Sequence, residues 1–511
     1  MARLHEYQGK AILAANGFKT PRGRAASSAE EAVAAAAEFG GEVAIKIQAW
    51  TTGRAGIGGV AFAKSADDVR AHAERMLSMK VGQFPVEAVL VEEKIDIERE
   101  FFLSFAIDDA ARAPVVIFAF GGGTGIEERA ASTRRIPCDV NRGPLDSALD
   151  QAVDVSGLSP AHAKQLADSI RKLFAAARSV EARSLEINPL VLTKKGDFIA
   201  ADCRITIDDY AVVRHPELGI EIAREFDHPP TPLERIAYAI EQSDHRGTFY
   251  FAQLAAAAAK PSKGLVGFHG AGGGGSMMSM DAIVTAGFTI ANFTDTSGNP
   301  SASKVYRAAR IILAQPDLVG YFGSGSGVAS QEQFWSAYGL AKAFCELDLD
   351  IPAVIRLGGN TEDRAVGVLR RISKLLRVPV EGYRKTDTPA MIAARFAELV
   401  ADAGGKKWKP RPPRAPKFVG DPSATMLPVK NGRVWIDTVH WPKIRPVIET
   451  HSGGLIVDRQ GAPAGALPSE EFATKDSELV ACDVECRLAG IKGFYLELDI
   501  PGLDELIGGN R

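Results

Sequence analysis

From about Gly264 onward, short strand-like runs alternate with segments of helical length, and this rhythm constrains the fold more than any other feature. The strand-like runs are residues 265–268, 288–293, 318–322 and 353–357. Strands and helices that alternate at this spacing are typical of a parallel, doubly wound sheet. The first three runs end in Gly-, Ser- or Asp-rich loops, which start at His269, Asp295 and Gly323. Loops at the carboxyl ends of such strands form the ligand crevice, so we expect these three to converge.

The first 210 residues have a different pattern, in which short strands mix with amphipathic helices. Strand-like runs lie at 43–47, 88–91, 100–107 and 115–120, and helical segments at 29–39 and 161–177. Two further apolar runs, 185–193 and 198–207, flank the turn Lys194-Lys195-Gly196-Asp197 and predict a hairpin. This part is predicted to be α+β with antiparallel strands.

A chain of 511 residues is too long for one hydrophobic core, which indicates several domains. We predict domains at 1–215 and 263–405, joined by a connecting segment at 216–262. Residues 406–430 are rich in proline and are predicted to be a linker, because proline sustains neither a helix nor a central strand. Residues 431–511 then form a small C-terminal module, expected to fold separately and to serve assembly or regulation.

Charge and cysteine content exclude several classes of protein. The formal net charge of −3 gives no overall attraction to nucleic acid or anionic lipid. There is no apolar run of 18 residues for a membrane span, and the first ten residues lack the apolar core of a signal peptide. Five scattered cysteines do not suggest a disulfide framework. We therefore expect a cytoplasmic protein without nucleic-acid or membrane partners.

Two groups of residues in the first part could bind a nucleotide. Lys46 precedes a glycine-rich loop, residues 51–59, whose backbone N–H groups could surround phosphate oxygens while the lysine supplies positive charge. Glu92 and Glu100 could accept hydrogen bonds from an adenine amino group or ribose hydroxyls. An ordinary hairpin and a solvated acidic stretch explain the same residues, so these alternatives remain open.

A third group lies on the arms of the predicted hairpin. Because side chains alternate along a strand, Glu186 and Asn188 share one face, and Asp202 lies almost opposite Asn188 on the other arm. Mg²⁺ prefers one or two such oxygen ligands together with nucleotide phosphates and water. The hairpin is therefore a candidate magnesium site.

Together, these three groups of residues and the sequence motifs around them resemble the β subunit of the succinyl-CoA synthetase family. The matching residues in the first part are Leu4-His5-Glu6-Tyr7-Gln8-Gly9-Lys10, Lys46-Ile47-Gln48 with the loop to Gly59-Val60, Leu90-Val91-Glu92 with Glu100, and Leu185-Glu186-Ile187-Asn188-Pro189-Leu190. In the second part they are His269-Gly270-Ala271-Gly272, Met280-Asp281, Ala291-Asn292-Phe293 with Asp295, and Arg356-Leu357 with Gly359-Asn360. The resemblance covers roughly residues 1 to 400.

The resemblance implies an ATP-grasp domain, a flavodoxin-like CoA-ligase domain with a parallel sheet, and a small α+β module at the C-terminus. It implies an ADP-forming acid–CoA ligase that uses Mg²⁺ and ATP or GTP. The implied site residues are Lys46, Gly53, Arg54 and Ala55 for the phosphates, Glu92, Ile95 and Glu100 for the adenosine part, Asn188 and Asp202 for Mg²⁺, and Glu186 as the catalytic residue beside a phosphohistidine. That histidine and most of the CoA site would belong to a separate α-type subunit, so this chain alone would be inactive.

The substrate side departs from the family pattern. His269 stands where the family usually has asparagine, and Ser326-Gly327-Val328-Ala329 replaces its Phe-Gly-Gly-Ile loop. These five residues are the candidate substrate ligands. The changes predict a carboxylic acid other than succinate, such as a hydroxy-dicarboxylate or a sulfonate.

Two other functions remain possible from the sequence. Residues 270–275 match a dinucleotide-binding fingerprint, and Asp295 follows about twenty residues later, as in an NAD-dependent oxidoreductase. The altered loops also permit a non-catalytic subunit that binds ATP as a scaffold or sensor.

Overall fold

In a computed structural model, the residues described are 1–82, 84–122, 133–154, 157–244, 247–254, 262–325, 329–414, 424–429, 432–437, 441–451 and 469–508. The chain divides into two compact units, Met1–Pro230 and Thr231–Arg511. Within these ranges, no helix combines the length and apolarity that a membrane span requires.

The first unit contains two main sheets with their helices and a separate two-stranded sheet of β5 and β6. Its strands are β1 (Ala2–Arg3), β2 (Gly23–Ala26), β3 (Val43–Ile47), β4 (Val60–Ala63), β5 (Lys80–Val81), β6 (Phe84–Pro85), β7 (Val89–Glu93), β8 (Ile97–Asp108), β9 (Ala113–Phe120), β10 (Arg134–Asp139), β11 (Gly143–Pro144), β12 (Ala182–Thr193), β13 (Phe198–Ala200) and β14 (Arg204–Ile207). Its α-helices are α1 (Glu6–Ala15), α2 (Ala29–Phe39), α3 (Ala66–Leu77), α4 (Asp146–Asp154) and α5 (Pro160–Ser179), and short 3₁₀ turns lie at Arg54–Ile57, Val212–Arg214 and Pro216–Leu218.

The smaller sheet has the strand order β2-β7-β3-β4 and packs against α2 and α3. Both helices begin at a serine, Ser28 or Ser65, whose side chain accepts a hydrogen bond from the backbone three residues later. Such caps satisfy N–H groups that have no partner within the helix. Alternating apolar residues such as Ile45 and Val91 fill the core between sheet and helices.

The larger sheet has the order β1-β14-β12-β8-β9-β10-β11, and β13 pairs with β12. One face is covered by α5, whose Ile170 and Leu173 are fully buried in the same core as Leu185 and Ile205. The predicted hairpin is confirmed, since Leu192 lies opposite Phe198. Its second arm is two strands instead of one, because residues 201–203 interrupt the ladder between β13 and β14.

The second unit contains a mostly parallel sheet. Its strands are β15 (Tyr250–Gln253), β16 (Leu265–Ala271), β17 (Thr289–Ile290), β18 (Asn292–Asp295), β19 (Leu318–Gly325), β20 (Ala329–Glu332), β21 (Ala353–Arg356), β22 (Gly359–Asn360), β23 (Val380–Tyr383), β24 (Ala424–Val429), β25 (Gly432–Asp437) and β26 (Phe494–Leu498). Its helices are α6 (Pro232–Ser243), α7 (Gly273–Thr285), α8 (Ala302–Ile312), α9 (Phe334–Glu346), α10 (Glu362–Ser373), α11 (Pro389–Asp402), α12 (Trp441–His451), α13 (Ser469–Leu488) and α14 (Leu503–Ile507).

The strand order β15-β18-β16-β19-β21-β23 confirms the predicted doubly wound sheet. All its neighbouring strands are parallel except β15, which runs antiparallel to β18 at the edge. Gly270 pairs with both Asp295 and Ser324, so the carboxyl ends of β18, β16 and β19 lie side by side. The points at which the three loops begin therefore lie side by side, as the sequence predicted, and residues 326–328 of the third loop lie outside the described residues.

The described part of the C-terminal segment packs onto the second unit, whereas the sequence predicted that the segment folds separately. Helix α13 packs against α8 and α9, and its Val480 and Val484 are fully buried in the hydrophobic core that these helices share. The first residues of the predicted linker are packed as well, since Trp408 is fully buried. The physical reason is that α13 supplies apolar surface which would be exposed if the segment stood alone.

Candidate functional site

Lys46, the glycine-rich loop and the hairpin residues of the first unit surround one cavity of about 420 Å³. Its lining residues come from both sheets and from the amino terminus. They include Arg3, Glu6, Lys46, Trp50, Thr51, Thr52, Gly53, Arg54, Ala55, Glu186, Asn188, Asp202 and Arg204. The structure thus brings together the amino-terminal residues, Lys46 with the glycine-rich loop, and the hairpin, which lie far apart in the sequence.

Lys46 lies near the end of β3 and is held by acceptors on three sides. Its Nζ lies 2.8 Å from Glu6 Oε1, from Glu92 Oε2 and from the carbonyl oxygen of Ala201. Burial acts to lower the pKa of this lysine, but Glu6, Glu92 and Asp202 outweigh it and raise the pKa above its usual value. Lys46 therefore carries a positive charge throughout the physiological pH range.

Glu6 is the central anion of this site, although no local sequence signal indicated a role for it. Its carboxylate contacts Lys10 Nζ at 2.7 Å, Lys46 Nζ at 2.8 Å and Arg54 Nη1 at 2.7 Å. Burial acts to raise the pKa of Glu6, whereas the three cations hold it well below its usual range. An acidic residue in the first turn of a helix usually interacts only with the helix dipole, so only the match of residues 4–10 to the family pointed to this position.

Arg54 joins the glycine-rich loop to the hairpin. The loop passes through Gly53, whose φ of 65° lies in the left-handed region that favours glycine, and continues into a 3₁₀ turn. Arg54 Nη2 lies 2.6 Å from Asp202 Oδ2, and its Nη1 donates to the carbonyl oxygen of Ile47 at 3.1 Å. Arg54 and Ala55 thus lie beside the hairpin that carries the candidate metal ligands.

Glu186, Asn188 and Asp202 all line the cavity, as the side-chain alternation predicted. The Asn188 side chain donates to Glu186 Oε1 at 3.4 Å, and Asp202 Oδ1 accepts from the backbone N–H of Cys203 at 2.7 Å. Among the described residues, no three His, Cys, Asp or Glu side chains form a self-contained metal site. A cation at Asn188 and Asp202 would consequently need further oxygens from a bound nucleotide.

Glu92, Ile95 and Glu100, the three residues predicted to contact adenosine, lie at separate places in the first unit. Glu92 is 2% exposed, and its carboxylate pairs with Lys10 and Lys46. Ile95 lies in the link between β7 and β8, and Glu100 lies on β8 opposite Val191. Of these three, none is among the described residues that line the cavity, and their role stays a prediction.

In the second unit, His269 lies on β16 and is buried. Its Nδ1 lies 2.6 Å from the Tyr321 hydroxyl and its Nε2 lies 3.2 Å from the Thr296 hydroxyl. Burial lowers the pKa of His269 to about 3, so the ring is neutral at physiological pH. To bind a substrate anion directly, this neutral ring would have to give up one of its two contacts.

The loop that follows β16 ends at the start of helix α7. Asp295 Oδ1 accepts hydrogen bonds from the backbone N–H groups of Gly272 at 2.9 Å and Ser297 at 2.8 Å, which fixes two of the three converging loops together. The predicted substrate residues Ser326, Gly327 and Val328 lie outside the described residues. Ala329 begins β20 and pairs with Gly359.

Comparison with known proteins agrees with this architecture. The ATP-grasp domain family matches residues 3–192. The β subunit of ADP-forming succinate–CoA ligase from Rubrobacter xylanophilus is 32% identical over 406 residues, which cover 78% of this chain and 99% of that protein. The β subunit of GDP-forming succinate–CoA ligase from Thermus thermophilus is 34% identical over 371 residues, covering 72% of this chain and 93% of that protein.

A solved structure of ATP citrate lyase from Methanothrix soehngenii, in complex with citrate and coenzyme A, has the same fold. The TM-score is 0.59 at 18% sequence identity, with 78% of this chain and 99% of that chain covered. Asp295, the acidic residue of the dinucleotide-like pattern, accepts hydrogen bonds from the loop backbone in this structure. The chain belongs to the family of succinate–CoA ligase β subunits, with an ATP-grasp domain in its first unit.

Proposed function

We propose that the chain is the nucleotide-binding β subunit of an ADP-forming acid–CoA ligase that works with an α-type partner. The observation that carries the proposal is the cavity in which Lys46 and Arg54 lie beside Glu186, Asn188 and Asp202. Cations for phosphate, oxygen ligands for a metal and a further carboxylate are the parts that phosphoryl transfer requires.

The side chains that line the cavity suit a nucleotide that is bound together with Mg²⁺. Lys46 and residues 53–55 would hold the phosphates, and Asn188 and Asp202 would hold Mg²⁺, which neutralises phosphate charge when bound. Arg54 and Asp202 would then exchange their mutual ion pair for the phosphates and the cation. The family includes both ADP-forming and GDP-forming relatives, so either ATP or GTP is compatible with membership.

In the proposed reaction, a carboxylic acid, CoA and ATP give acyl-CoA, ADP and phosphate through an acyl phosphate and a phosphohistidine on the partner. Glu186 would accept a hydrogen bond from the ring N–H of that histidine. A carboxylate in this position fixes the tautomer of the imidazole and stabilises the positive charge that the ring gains when it is phosphorylated. CoA would be bound mainly by the partner.

The acid is proposed to differ from succinate. His269 and Ser324 lie near the carboxyl ends of β16 and β19, and the Ser324 hydroxyl lies 2.7 Å from the hydroxyl of Ser279 in the middle of α7. Hydroxyl and imidazole groups near a glycine-rich helix start suit an acid with a second anionic or hydroxylated group. A hydroxy-dicarboxylate or a sulfonate has this chemistry.

The experiment is co-purification of the chain with the product of the neighbouring gene, followed by CoA-thioester formation from a panel of acids. We expect activity only in the complex and a higher kcat/KM for a hydroxy-dicarboxylate or sulfonate than for succinate. Thioester formation by this chain alone would refute the need for a partner. Succinate as the best acid would refute the proposed substrate.

A further inference from the structure

An open groove of about 480 Å³ lies at the edge of the parallel sheet in the second unit, between helix α10 and strand β23. The helix lines it with one face, because the residues follow each other at three- and four-residue spacing: Val366, Arg370, Ser373 and Lys374. The strand lines it with Pro379, Val380, Glu381, Gly382 and Tyr383. The groove is distinct from the loops that follow β16, β18 and β19, since β21 lies between β19 and β23.

The outer edge of β23 is open to a further strand. Strand β23 is the last in the order of its sheet, and among the described residues no strand pairs with its outer side. On the inner side, the N–H of Ala353 donates to the carbonyl oxygen of Pro379 at 3.1 Å, and that of Leu357 donates to Tyr383 at 2.9 Å. Backbone groups of successive residues point to opposite sides of a strand, so Pro379 and Tyr383 bond inward and the residues between them at even numbers point outward.

Val380 and Gly382 are these outward-pointing residues. The direction of Val380 is visible in its N–H, which donates to the Ser373 hydroxyl of α10 at 2.9 Å. Within the described residues, the N–H and C=O of Gly382 face no neighbouring strand on that side. Unpaired backbone groups at the edge of a sheet are a template for an added strand.

The groove also carries positive charge that is not compensated. Arg370 and Lys374 are exposed, and in the part of the chain that the structure describes no carboxylate lies within ion-pair distance of either. Glu381 is already paired with Arg395 at 2.8 Å and accepts a hydrogen bond from the Tyr383 hydroxyl. A second copy of this chain is a poor occupant, because pairing two such edges brings like charges together.

We propose that this groove binds an extended, acidic segment of a partner chain, which adds to the outer edge of β23 as a further strand. Hydrogen bonds to the backbone of Gly382 supply affinity, and carboxylates that reach Arg370 and Lys374 supply specificity. The surface goes beyond the proposed function, since neither the nucleotide cavity nor the loops of the substrate side take part in it.

The binding test is calorimetric titration of the full chain with a short synthetic peptide in which glutamate and valine alternate. We expect Arg370→Gln/Lys374→Gln to weaken binding about tenfold, because two ion pairs at the surface are lost. Arg377→Gln/Lys385→Gln is the matched control, since it removes the same charge from two exposed residues outside the groove and should leave the affinity unchanged.

A second measurement needs only the wild-type chain and serves if the double variant does not fold. The same peptide with methylated backbone nitrogens keeps its carboxylates but cannot donate to a strand edge, so we expect it to bind about tenfold more weakly. Hydrogen exchange at Gly382 should slow when the unmethylated peptide binds.

Equal losses in the two double variants, or unchanged affinity of the methylated peptide, would show attraction between charges without strand addition and overturn the proposal. Self-association of the wild-type chain that the peptide abolishes would identify a second copy as the occupant and overturn it as well. No binding of the acidic peptide would mean that Arg370 and Lys374 keep other strands away from this edge. None of these measurements uses a nucleotide or an acid substrate, so they stand whether or not the proposed function holds.

Discussion

Lys46 Nζ lies 2.8 Å from Glu6 Oε1, so a strand lysine is held by the first turn of a helix 40 residues earlier in the chain. Glu6 also contacts Lys10 and Arg54, and its side chain is 2% exposed. One buried carboxylate thus fixes three cations, two of which line the nucleotide cavity. The position of the candidate phosphate-binding groups depends on this contact.

Glu6→Gln is expected to destabilise the first unit. Removing one partner from a buried charge group costs roughly 3–5 kcal/mol, because the remaining charges lose their compensation. Urea unfolding followed by tryptophan fluorescence, to which Trp50 contributes from the first unit, measures this loss. Glu93→Gln is the control, since Glu93 pairs with Arg22 at the surface and such pairs contribute about 1 kcal/mol or less. Equal effects of the two substitutions would contradict the central role of Glu6.

Asp202→Asn is expected to weaken Mg-ATP binding at least tenfold, which corresponds to about 1.4 kcal/mol. The substitution keeps the shape of the side chain but removes the charge that would attract the cation. Calorimetric titration with ATP, with and without Mg²⁺, measures the effect. Asp197→Asn, at the turn of the same hairpin, should leave affinity unchanged. Retained Mg²⁺-dependent affinity in Asp202→Asn would exclude this carboxylate as a metal ligand.

His269 is expected to make the stability of the second unit sensitive to acid. Burial lowers its pKa from 6.5 to about 3, so the neutral ring stabilises the fold fully above pH 6.5. This contribution is lost as pH falls from 6.5 towards 3, by about 1.4 kcal/mol per pH unit, because the unfolded chain binds the proton more readily. Unfolding measured at several pH values should show a weaker acid dependence for His269→Asn than for wild type. Parallel pH profiles would show that His269 is not buried as a neutral ring.

Lys342→Met is expected to destabilise the second unit by roughly 3–5 kcal/mol. Lys342 is fully buried on α9 and pairs with Glu346 and with Asp483 of α13, so its removal leaves two buried carboxylates without this cation. Calorimetric unfolding tests the effect. Lys406→Met is the control, because Lys406 is 49% exposed and lies 3.1 Å from Asp350 at the surface. A small effect at Lys342 would mean that α13 is not packed against α9 in solution.

Local signals in the sequence were sufficient for the elements that carry the candidate site. The turn around Gly196 with alternating apolar residues on both sides predicted the hairpin, and the same alternation placed Glu186 and Asn188 on one face. The strand and helix rhythm after Gly264 predicted the parallel sheet. These features are determined by neighbours in the sequence.

The remaining features depend on contacts between distant residues. Lys10 reaches Glu92 across 82 positions, and no local pattern indicates this pair. Helix α13 follows a proline-rich segment that is typical of a linker, although its apolar side chains complete the core of the second unit. Arg3 and Arg204 lie near opposite ends of the first unit's sequence and become neighbours only when β1 pairs with β14.

The most direct test of the proposed function is phosphoryl transfer from ATP labelled at the γ-phosphate to a histidine of the co-purified α-type partner. We predict an acid-labile label on the partner that requires Mg²⁺ and this chain, and that is lost with Glu186→Gln while Mg-ATP still binds. Arg178→Gln should label the partner as wild type does. Binding of Mg-ATP by the wild-type complex without any label on the partner would contradict the account and would instead indicate a nucleotide-binding scaffold or sensor.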